Sequence, residues 1–187
     1  MENQKKIENI YLYEQVTQFY EYAKITFTDK NVIGSEYLGF DKKPGEIIKN
    51  IRHEDALNLS FENNYIDIII SNDVFEHVPD IKGALSESYR VLRESGKLVF
   101  SIPFYCNELE TKKRATLENG RVISILPDQY HGNPISNEGS LVFYDFGWDI
   151  LQLCREAGFK NSYMLGYYSF FYGYMGGGVQ FVFVAEK

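Results

Sequence analysis

The chain has 187 residues, of which 44% are apolar and 16% aromatic, and its formal net charge is -7. This length suits one α/β domain, and this apolar content suffices for a packed core, which excludes a disordered chain and a disulfide-stapled miniature fold. The 19 Lys and Arg residues face 26 Asp and Glu residues without forming any basic run. A nucleic-acid partner is therefore not expected.

The two cysteines, Cys106 and Cys154, are far apart and outside any paired motif. They are typical of reduced thiols in the cytoplasm. No apolar stretch has the length of a signal peptide core or of a membrane span, so no membrane association is expected. The sequence predicts a cytoplasmic protein with a single domain over residues 1–187.

In the first third of the chain, short apolar runs alternate with helical patterns, which favours a mostly parallel sheet with helices on both faces. Residues 10–14 predict a first strand and residues 32–38 a second. A short third strand is predicted around residues 51–53. Between the first two strands, helical spacing predicts one apolar helix face made of Val16, Phe19, Tyr20, Ala23 and Phe27.

The next unit predicts a strand, a helix and a strand in a right-handed crossover. Residues 66–72 are β-branched and apolar, typical of a buried central strand. Asp80 is expected to cap the following helix, and Gly96 to end it in a left-handed conformation. The next strand is predicted over residues 97–103.

Residues 104–146 interrupt this alternation with polar stretches and predict a long insert over the acceptor side of a site. A helix is expected over residues 147–158, followed by a strand pair over 161–169 and 179–186. The aromatic segment 167–175 has three interpretations. It packs between the last strands, it forms an apolar pocket wall, or it forms a partner surface through which the chain makes a homodimer.

Residues 57–80 and 89–100 carry a family resemblance, through the apolar strand, the Glu76-His77-Val78 sequence and Gly96 before the next strand. This stretch resembles class I S-adenosylmethionine-dependent methyltransferases, in the branch that includes ubiquinone- and menaquinone-pathway enzymes. The resemblance implies a Rossmann-like, mostly parallel seven-stranded sheet with an antiparallel last strand and helices on both faces. It also implies S-adenosyl-L-methionine as cofactor and a small-molecule acceptor, methylated on oxygen.

The resemblance further implies where the cofactor binds. An acidic residue after the second strand accepts from the ribose hydroxyls, because a carboxylate can accept from both at once. An Asp and the next backbone group read the adenine, and polar residues end the central strand at the ligand-binding edge of the sheet. The matching residues are Glu36 with Tyr37, Asp55 with Ala56, and Asn72 with Asp73.

The departure from the family lies in the turn after the first strand. That turn is usually glycine-rich, so that backbone can approach the cofactor closely. Here all 15 glycines lie at or after Gly34. Two interpretations stay open. Glu14, Gln15 and Thr17 contact the cofactor through side chains or a wider turn, or the site is degenerate and the chain is a non-catalytic binding domain of the same fold.

His131, within the insert, and His77 are the candidate catalytic residues, because a hydroxyl acceptor benefits from a base. In some metal-assisted O-methyltransferases, an acidic residue, two further residues and then Glu-His carry a divalent ion, sometimes with a later His. That pattern implies Asp73, Glu76, His77 and His131 as a metal site. Glu-His-Val also occurs in metal-free members, and a metal-free protein is the expectation.

Overall fold

The computed structural model describes residues 6–171 and 179–187, with Ser136 and Asn137 described by their backbone only. Within these residues, six strands form the main sheet. With strands numbered in chain order, the sheet runs β13 (Asn161–Tyr167), β14 (Gln180–Glu186), β6 (Leu92–Ser101), β5 (Ile66–Asn72), β1 (Asn9–Leu12) and β2 (Asn31–Gly34).

The strands β2, β1, β5 and β6 are parallel to one another, and β14 is antiparallel to both β6 and β13. The antiparallel last strand is thus confirmed, whereas the expected seventh strand is wrong. Of the residues predicted as a third strand, Ile51 and Arg52 form β4 (Ile51–Arg52). This strand pairs with β3 (Ile47–Ile48) in a small hairpin. After it, His53 makes a single parallel bridge to Glu36, so this edge of the main sheet ends at β2.

Three α-helices occur in the described residues: α1 (Gln18–Thr26), α2 (Ile81–Val91) and α3 (Ile150–Glu156). The prediction for α2 is confirmed, since the Asp80 side chain accepts from the Gly83 amide at 3.1 Å. The predicted apolar face of α1 is confirmed for Ala23, which is buried, and for Tyr20, which packs against the same small cluster. It is wrong for Val16, Phe19 and Phe27, which are exposed. Helical spacing alone does not tell which apolar side chains find a partner.

The prediction that Gly96 is a left-handed helix terminator is also wrong. The left-handed residue is Ser95, with φ 70°, and α2 runs directly into β6. Gly96 serves a close approach instead, because a Cβ there would lie 2.8 Å from the Arg93 carbonyl oxygen.

The insert is a set of short strands rather than an irregular connection. These strands are β7 (Lys112–Lys113), β8 (Ala115–Glu118), β9 (Arg121–Ser124), β10 (Tyr130–Asn133), β11 (Ser136–Leu141) and β12 (Tyr144–Asp145). The end of the β10–β11 hairpin lies against a 3-10 turn over Phe75–His77, because the Leu141 carbonyl oxygen is 2.8 Å from His77 Nδ1. Just after the hairpin, the Phe143 amide donates to the Glu76 carbonyl at 2.7 Å. The insert thereby places one hairpin over the residues that follow β5.

Aromatic rings fill the core on the face of the sheet that packs against α2 and α3. Phe75 and Phe100 meet edge to face with ring centroids 5.4 Å apart, and both are buried. Phe75 begins the 3-10 turn, so this packing fixes where the following residues project. Within residues 6–171 and 179–187, no helix is long and apolar enough to cross a membrane. Of the aromatic segment 167–175, residues 172–175 lie outside the described part.

Candidate functional site

The carboxyl ends of β1, β2 and β5 meet at one edge of the sheet, where ligands of open α/β folds bind. The residues that follow these strands bring acidic side chains to this edge. We call Glu14, Glu36 and Asp73 the carboxylate edge.

The turn after β1 is organised by Glu36. The amides of Gln15 and Val16 donate to Glu36 Oε1 at 2.8 and 2.9 Å. Both bonds end on the same oxygen, so Oε2 is the oxygen that can accept from a bound hydroxyl. In a turn without glycine, the backbone amides thus converge on a carboxylate of this chain.

A glycine does act at this turn, but from the neighbouring strand. A Cβ on Gly34 would lie 2.7 Å from the Glu14 carbonyl oxygen and 2.6 Å from Cε2 of Tyr20. Both distances are shorter than any ordinary contact of a Cβ atom. The end of β2 therefore approaches the turn only because residue 34 is glycine.

The negative charges of Glu36 and Asp73 act unfavourably on an ionised Glu14. Asn72 donates a hydrogen bond from its side-chain amide to Glu14 Oε1. Burial raises the pKa of Glu14 above its ordinary value, the Asn72 bond opposes this, and the charges of Glu36 and Asp73 add to the rise. A cation bound here would relieve this repulsion.

Asp73 lies beside a cavity. It has φ 50°, a left-handed conformation that Asp tolerates better than most residues, and its Oδ1 accepts from the Ser101 hydroxyl at 3.0 Å. The adjoining cavity has a volume of about 380 Å³ and includes the side chains of Phe104 and Phe181 in its lining. It combines a polar floor with aromatic walls.

Gln15 and Thr17, which are also predicted to contact the cofactor, form hydrogen bonds with other parts of the chain. The Gln15 side chain donates to the Asn50 carbonyl and accepts from the Arg52 amide, both at 2.8 Å, which ties the first turn to the β3–β4 hairpin. Thr17 caps α1 by accepting from the Tyr20 amide at 3.1 Å.

The residues predicted to read the adenine lie after that hairpin. Asp55 Oδ1 accepts from the Leu57 amide at 2.9 Å, and Ala56 packs against the core. Tyr37 is 54% exposed, with its ring 5.5 Å from the ring of His53. The exposed ring is the part of this group that is open to a planar ligand.

A second cluster brings together three predicted residues, Glu76, His77 and His131, which we call the His–Glu cluster. His131 Nδ1 lies 3.3 Å and His77 Nε2 3.7 Å from Glu76 Oε1. Asp73 does not belong to this group, in which the ligand atoms lie within 4.8 Å of one another. The structure thus assembles three of the four residues of the implied metal pattern.

Burial dominates the electrostatics of the His–Glu cluster. It raises the pKa of Glu76 to about 8, and the charge of Asp73 adds to this rise. It also lowers the pKa of His77, as does the nearby His131, although the bond to the Leu141 carbonyl opposes this. In the protonated form Glu76 makes a polar contact of 3.3 Å with His131, and in the ionised form its negative charge lacks a hydrogen-bond donor among the described residues.

Sequence reasoning missed two neighbours of the His–Glu cluster. Gln129 Nε2 lies 3.2 Å from His131 Nε2, and the Leu141 carbonyl oxygen lies 2.8 Å from His77 Nδ1. No local signal marks either residue, because both depend on how the β10–β11 hairpin docks. Gly34 was also missed, although a glycine inside the strand predicted over residues 32–38 was a usable signal of a close backbone approach.

Residues 7–100, about half of the chain, match a family model described as a methyltransferase domain. No curated protein matches the chain by sequence.

Solved structures resemble this chain over nearly its whole length. An S-adenosylmethionine-dependent methyltransferase from Mesorhizobium loti has a TM-score of 0.58 and 14% identity, covering 97% of this chain and 91% of its own. One from Methanosarcina mazei has a TM-score of 0.56 and 16% identity, covering 98% and 93%.

A Burkholderia thailandensis 1,6-didemethyltoxoflavin-N1-methyltransferase, solved with 1,6-didemethyltoxoflavin and S-adenosylhomocysteine, has a TM-score of 0.53 and 15% identity, covering 97% and 72%. At such identities, these likenesses concern the fold.

Proposed function

This chain belongs to the methyltransferase domain family, and from that premise we propose that it transfers a methyl group from S-adenosyl-L-methionine to an oxygen atom of a small molecule. The observation that carries the proposal is the placement of Glu14, Glu36 and Asp73 after the carboxyl ends of the parallel strands β1, β2 and β5. The narrower kinship with ubiquinone- and menaquinone-pathway enzymes stays a prediction.

The carboxylate edge suits this cofactor chemically. S-adenosylmethionine carries a sulfonium and an ammonium group against one carboxylate, so its reacting end is a net cation. A cation next to Glu14 and Asp73 reduces their repulsion, and the partly buried setting strengthens that attraction relative to water.

We assign the groups of the cofactor to individual residues. Glu36 would accept from the ribose hydroxyls through Oε2, because its Oε1 already accepts two backbone amides. Asp55 and Ala56 would meet the adenine, whereas Asn72 and Asp73 would lie near the methionine part. When bound, the cofactor supplies an electrophilic methyl group on sulfur.

The acceptor would bind in the cavity beside Asp73. Its volume of about 380 Å³ lies in the range of small-molecule sites, and its aromatic walls suit an apolar or planar compound. The charge of Asp73 acts on both Glu76 and His77, which supports a site that extends from the cavity toward the His–Glu cluster.

The chain's own contribution to the reaction would be alignment and removal of one proton. Alignment of the acceptor oxygen with the sulfur–methyl bond supplies most of the acceleration in such a displacement. In the metal-free chain, a neutral imidazole of His131 or His77 would accept the proton of the hydroxyl. General-base catalysis of this kind raises the rate by about 10²–10⁴-fold.

The proposal is tested by incubating the full chain with methyl-labelled S-adenosylmethionine and a panel of matched compounds that differ only in carrying a hydroxyl, an amine or a thiol. We expect label transfer to hydroxyl compounds, with equimolar S-adenosylhomocysteine. Transfer to amines alone would refute the oxygen assignment. Tight cofactor binding without transfer to any compound would favour the non-catalytic alternative.

We further propose a cytoplasmic location and a homodimer through the aromatic segment near the C-terminus. Both cysteines are free thiols, which suits a reducing compartment. Phe170 and Phe171 are 78% and 86% exposed, and a second copy would cover them. Sedimentation equilibrium tests the dimer, and a monomer at all concentrations would refute it.

A further inference from the structure

Two parts of the chain that are distant in sequence build the His–Glu cluster. Glu76 and His77 lie on the 3-10 turn after β5, and His131 comes from β10 of the insert. The docked hairpin brings the imidazole of His131 against the turn, with the two histidine rings edge to face and their centroids 5.2 Å apart. The packing of the insert therefore makes the cluster.

The distances within the cluster suit one small ion. Ligand atoms about 2.1 Å from a tetrahedral zinc ion lie about 3.4 Å from each other. Glu76 Oε1 lies 3.3 Å from His131 Nδ1 and 3.7 Å from His77 Nε2. All three ligand atoms lie within 4.8 Å of one another, so a small movement of the rings would bring them to the spacing that one metal ion requires.

The burial of Glu76 is the second, independent observation. Its side chain is 0% exposed, and neither carboxylate oxygen has a hydrogen-bond partner among the described residues. A buried carboxylate without donors is costly, and buried charges are normally paired or bound to metals. Both neighbouring imidazoles turn a nitrogen toward Glu76, so the side chains surround the place where a cation would satisfy it.

The outer contacts orient the histidines as ligands. His77 Nδ1 lies 2.8 Å from the Leu141 carbonyl oxygen, to which a protonated Nδ1 donates, leaving the lone pair on Nε2. On the far side of His131, Nε2 meets the side-chain amide of Gln129 at 3.2 Å. A half-turn of that amide would offer its oxygen to a protonated Nε2. Hydrogen bonds of this kind fix the rings of metal-binding histidines.

We propose that Glu76, His77 and His131 bind a divalent transition-metal ion of the zinc class. Two imidazole nitrogens and one carboxylate favour Zn²⁺, Co²⁺ or Ni²⁺ over Mg²⁺ or Ca²⁺, which prefer oxygen ligands. Three protein ligands leave a fourth position for water or an acceptor oxygen. Asp73 is not included, because its carboxylate lies outside the group formed by the other three residues, and its Oδ1 accepts from the Ser101 hydroxyl.

Metal binding does not rest on the proposed function, since it needs neither cofactor nor acceptor. Its catalytic consequence does rest on it. In the metal-loaded chain the ion would lower the pKa of the acceptor hydroxyl, and the proton would leave to water. In the metal-free chain the imidazole would accept that proton.

The test uses the full chain without a histidine tag, freed of metal by a chelator and titrated with Zn²⁺ in competition with a chromophoric chelator. Co²⁺ in a parallel titration reports geometry through its visible absorption. We expect one ion per chain and a four-coordinate Co²⁺ spectrum. Mg²⁺ that displaces Zn²⁺ at equal concentration would overturn the zinc-class assignment.

Three variants locate the site. His131→Ala and Glu76→Gln should weaken Zn²⁺ binding by at least about 100-fold. Loss of a residue that only orients a ligand already costs about 10–100-fold in metal affinity, and these variants remove a ligand itself. The comparison variant Asp73→Asn should change the affinity by less than about tenfold, because Asp73 acts on the cluster through its charge and not as a ligand. His131 is on the surface hairpin, with its side chain 29% exposed, so its removal should spare the core. Unchanged Zn²⁺ binding in folded His131→Ala, or lost binding in Asp73→Asn, would overturn the proposal.

Discussion

The carboxylate edge and the His–Glu cluster both place acidic side chains after strand ends, but the two regions differ in the hydrogen-bond donors that these side chains receive. At the carboxylate edge, each acid has a donor from this chain: two amides for Glu36, the Asn72 amide for Glu14 and the Ser101 hydroxyl for Asp73. In the His–Glu cluster, Glu76 is fully buried and has no hydrogen-bond partner among the described residues.

This difference teaches what each region is suited to do. A carboxylate that already has donors keeps its shape and offers a remaining oxygen and its charge, which suits an organic cation that comes and goes. A carboxylate without donors, facing two imidazoles, suits a partner that supplies a full positive charge at short range, as a proton or a metal ion does. The carboxylate edge is therefore suited to binding the cofactor, and the His–Glu cluster is suited to taking part in the reaction.

The largest expected effect comes from His131→Ala. We expect the rate constant for methyl transfer to fall by about 100-fold or more, whereas the affinity for S-adenosylhomocysteine stays unchanged. Initial rates with an acceptor found by the panel above, together with a binding isotherm, measure both quantities. A loss of cofactor affinity equal to the loss of rate would remove the distinction between the two regions.

Gly34→Ala tests how the carboxylate edge is built. The added methyl group would collide with Tyr20 and the Glu14 carbonyl oxygen, so we expect the free energy of unfolding to fall by about 1–3 kcal/mol. Urea unfolding measures the change. Gly132→Ala is the control, because a Cβ there meets no atom within 4 Å. Equal stability of the two variants would show that the close approach is not needed.

Glu36→Gln should weaken S-adenosylhomocysteine binding by about tenfold, because a charge-assisted hydrogen bond to a hydroxyl is replaced by a neutral one. The amide oxygen of Gln can still accept from the first turn, so the fold should persist. Glu46→Gln removes the same charge from the nearby β3–β4 hairpin, where Glu46 accepts from the Lys43 amide. If both variants bind equally well, the ribose assignment is wrong.

The smallest effect is expected for Glu14→Gln, which should weaken cofactor binding by about threefold, as for a partly exposed ion pair. Because folding raises the pKa of Glu14, the native state binds more protons than the unfolded state just above the ordinary pKa of Glu. Stability of the wild type should therefore fall as pH rises through that window. Glu14→Gln should lack this fall, and identical pH profiles of urea unfolding would contradict it.

Sequence reasoning predicted the parts of the fold that depend on local pattern. The strand over residues 66–72 and the Asp80 cap are confirmed, because β-branched runs and capping side chains act within a few residues. The seventh strand failed for a non-local reason. Whether residues 51–53 join the main sheet depends on pairing with residue 36, and that pairing stops after one bridge.

The same contrast holds for the site. The family resemblance implied Glu36 and Asp73 at strand ends, and the parallel topology brings those ends to one edge of the sheet. The approach of His131 to Glu76 spans 55 positions and depends on the docking of a hairpin, which no periodicity encodes. The pattern that placed Asp73 with that cluster was inexact, because the left-handed turn at Asp73 directs its carboxylate to Ser101.

Thermal or urea unfolding with and without S-adenosylhomocysteine tests the central claim most directly, since it needs no acceptor. At a ligand concentration about 100 times its dissociation constant, the native state should gain about 2.7 kcal/mol. The gain should be smaller in Glu36→Gln than in Glu46→Gln at the same ligand concentration. No change in the wild type at millimolar ligand would contradict a cofactor site at the carboxylate edge.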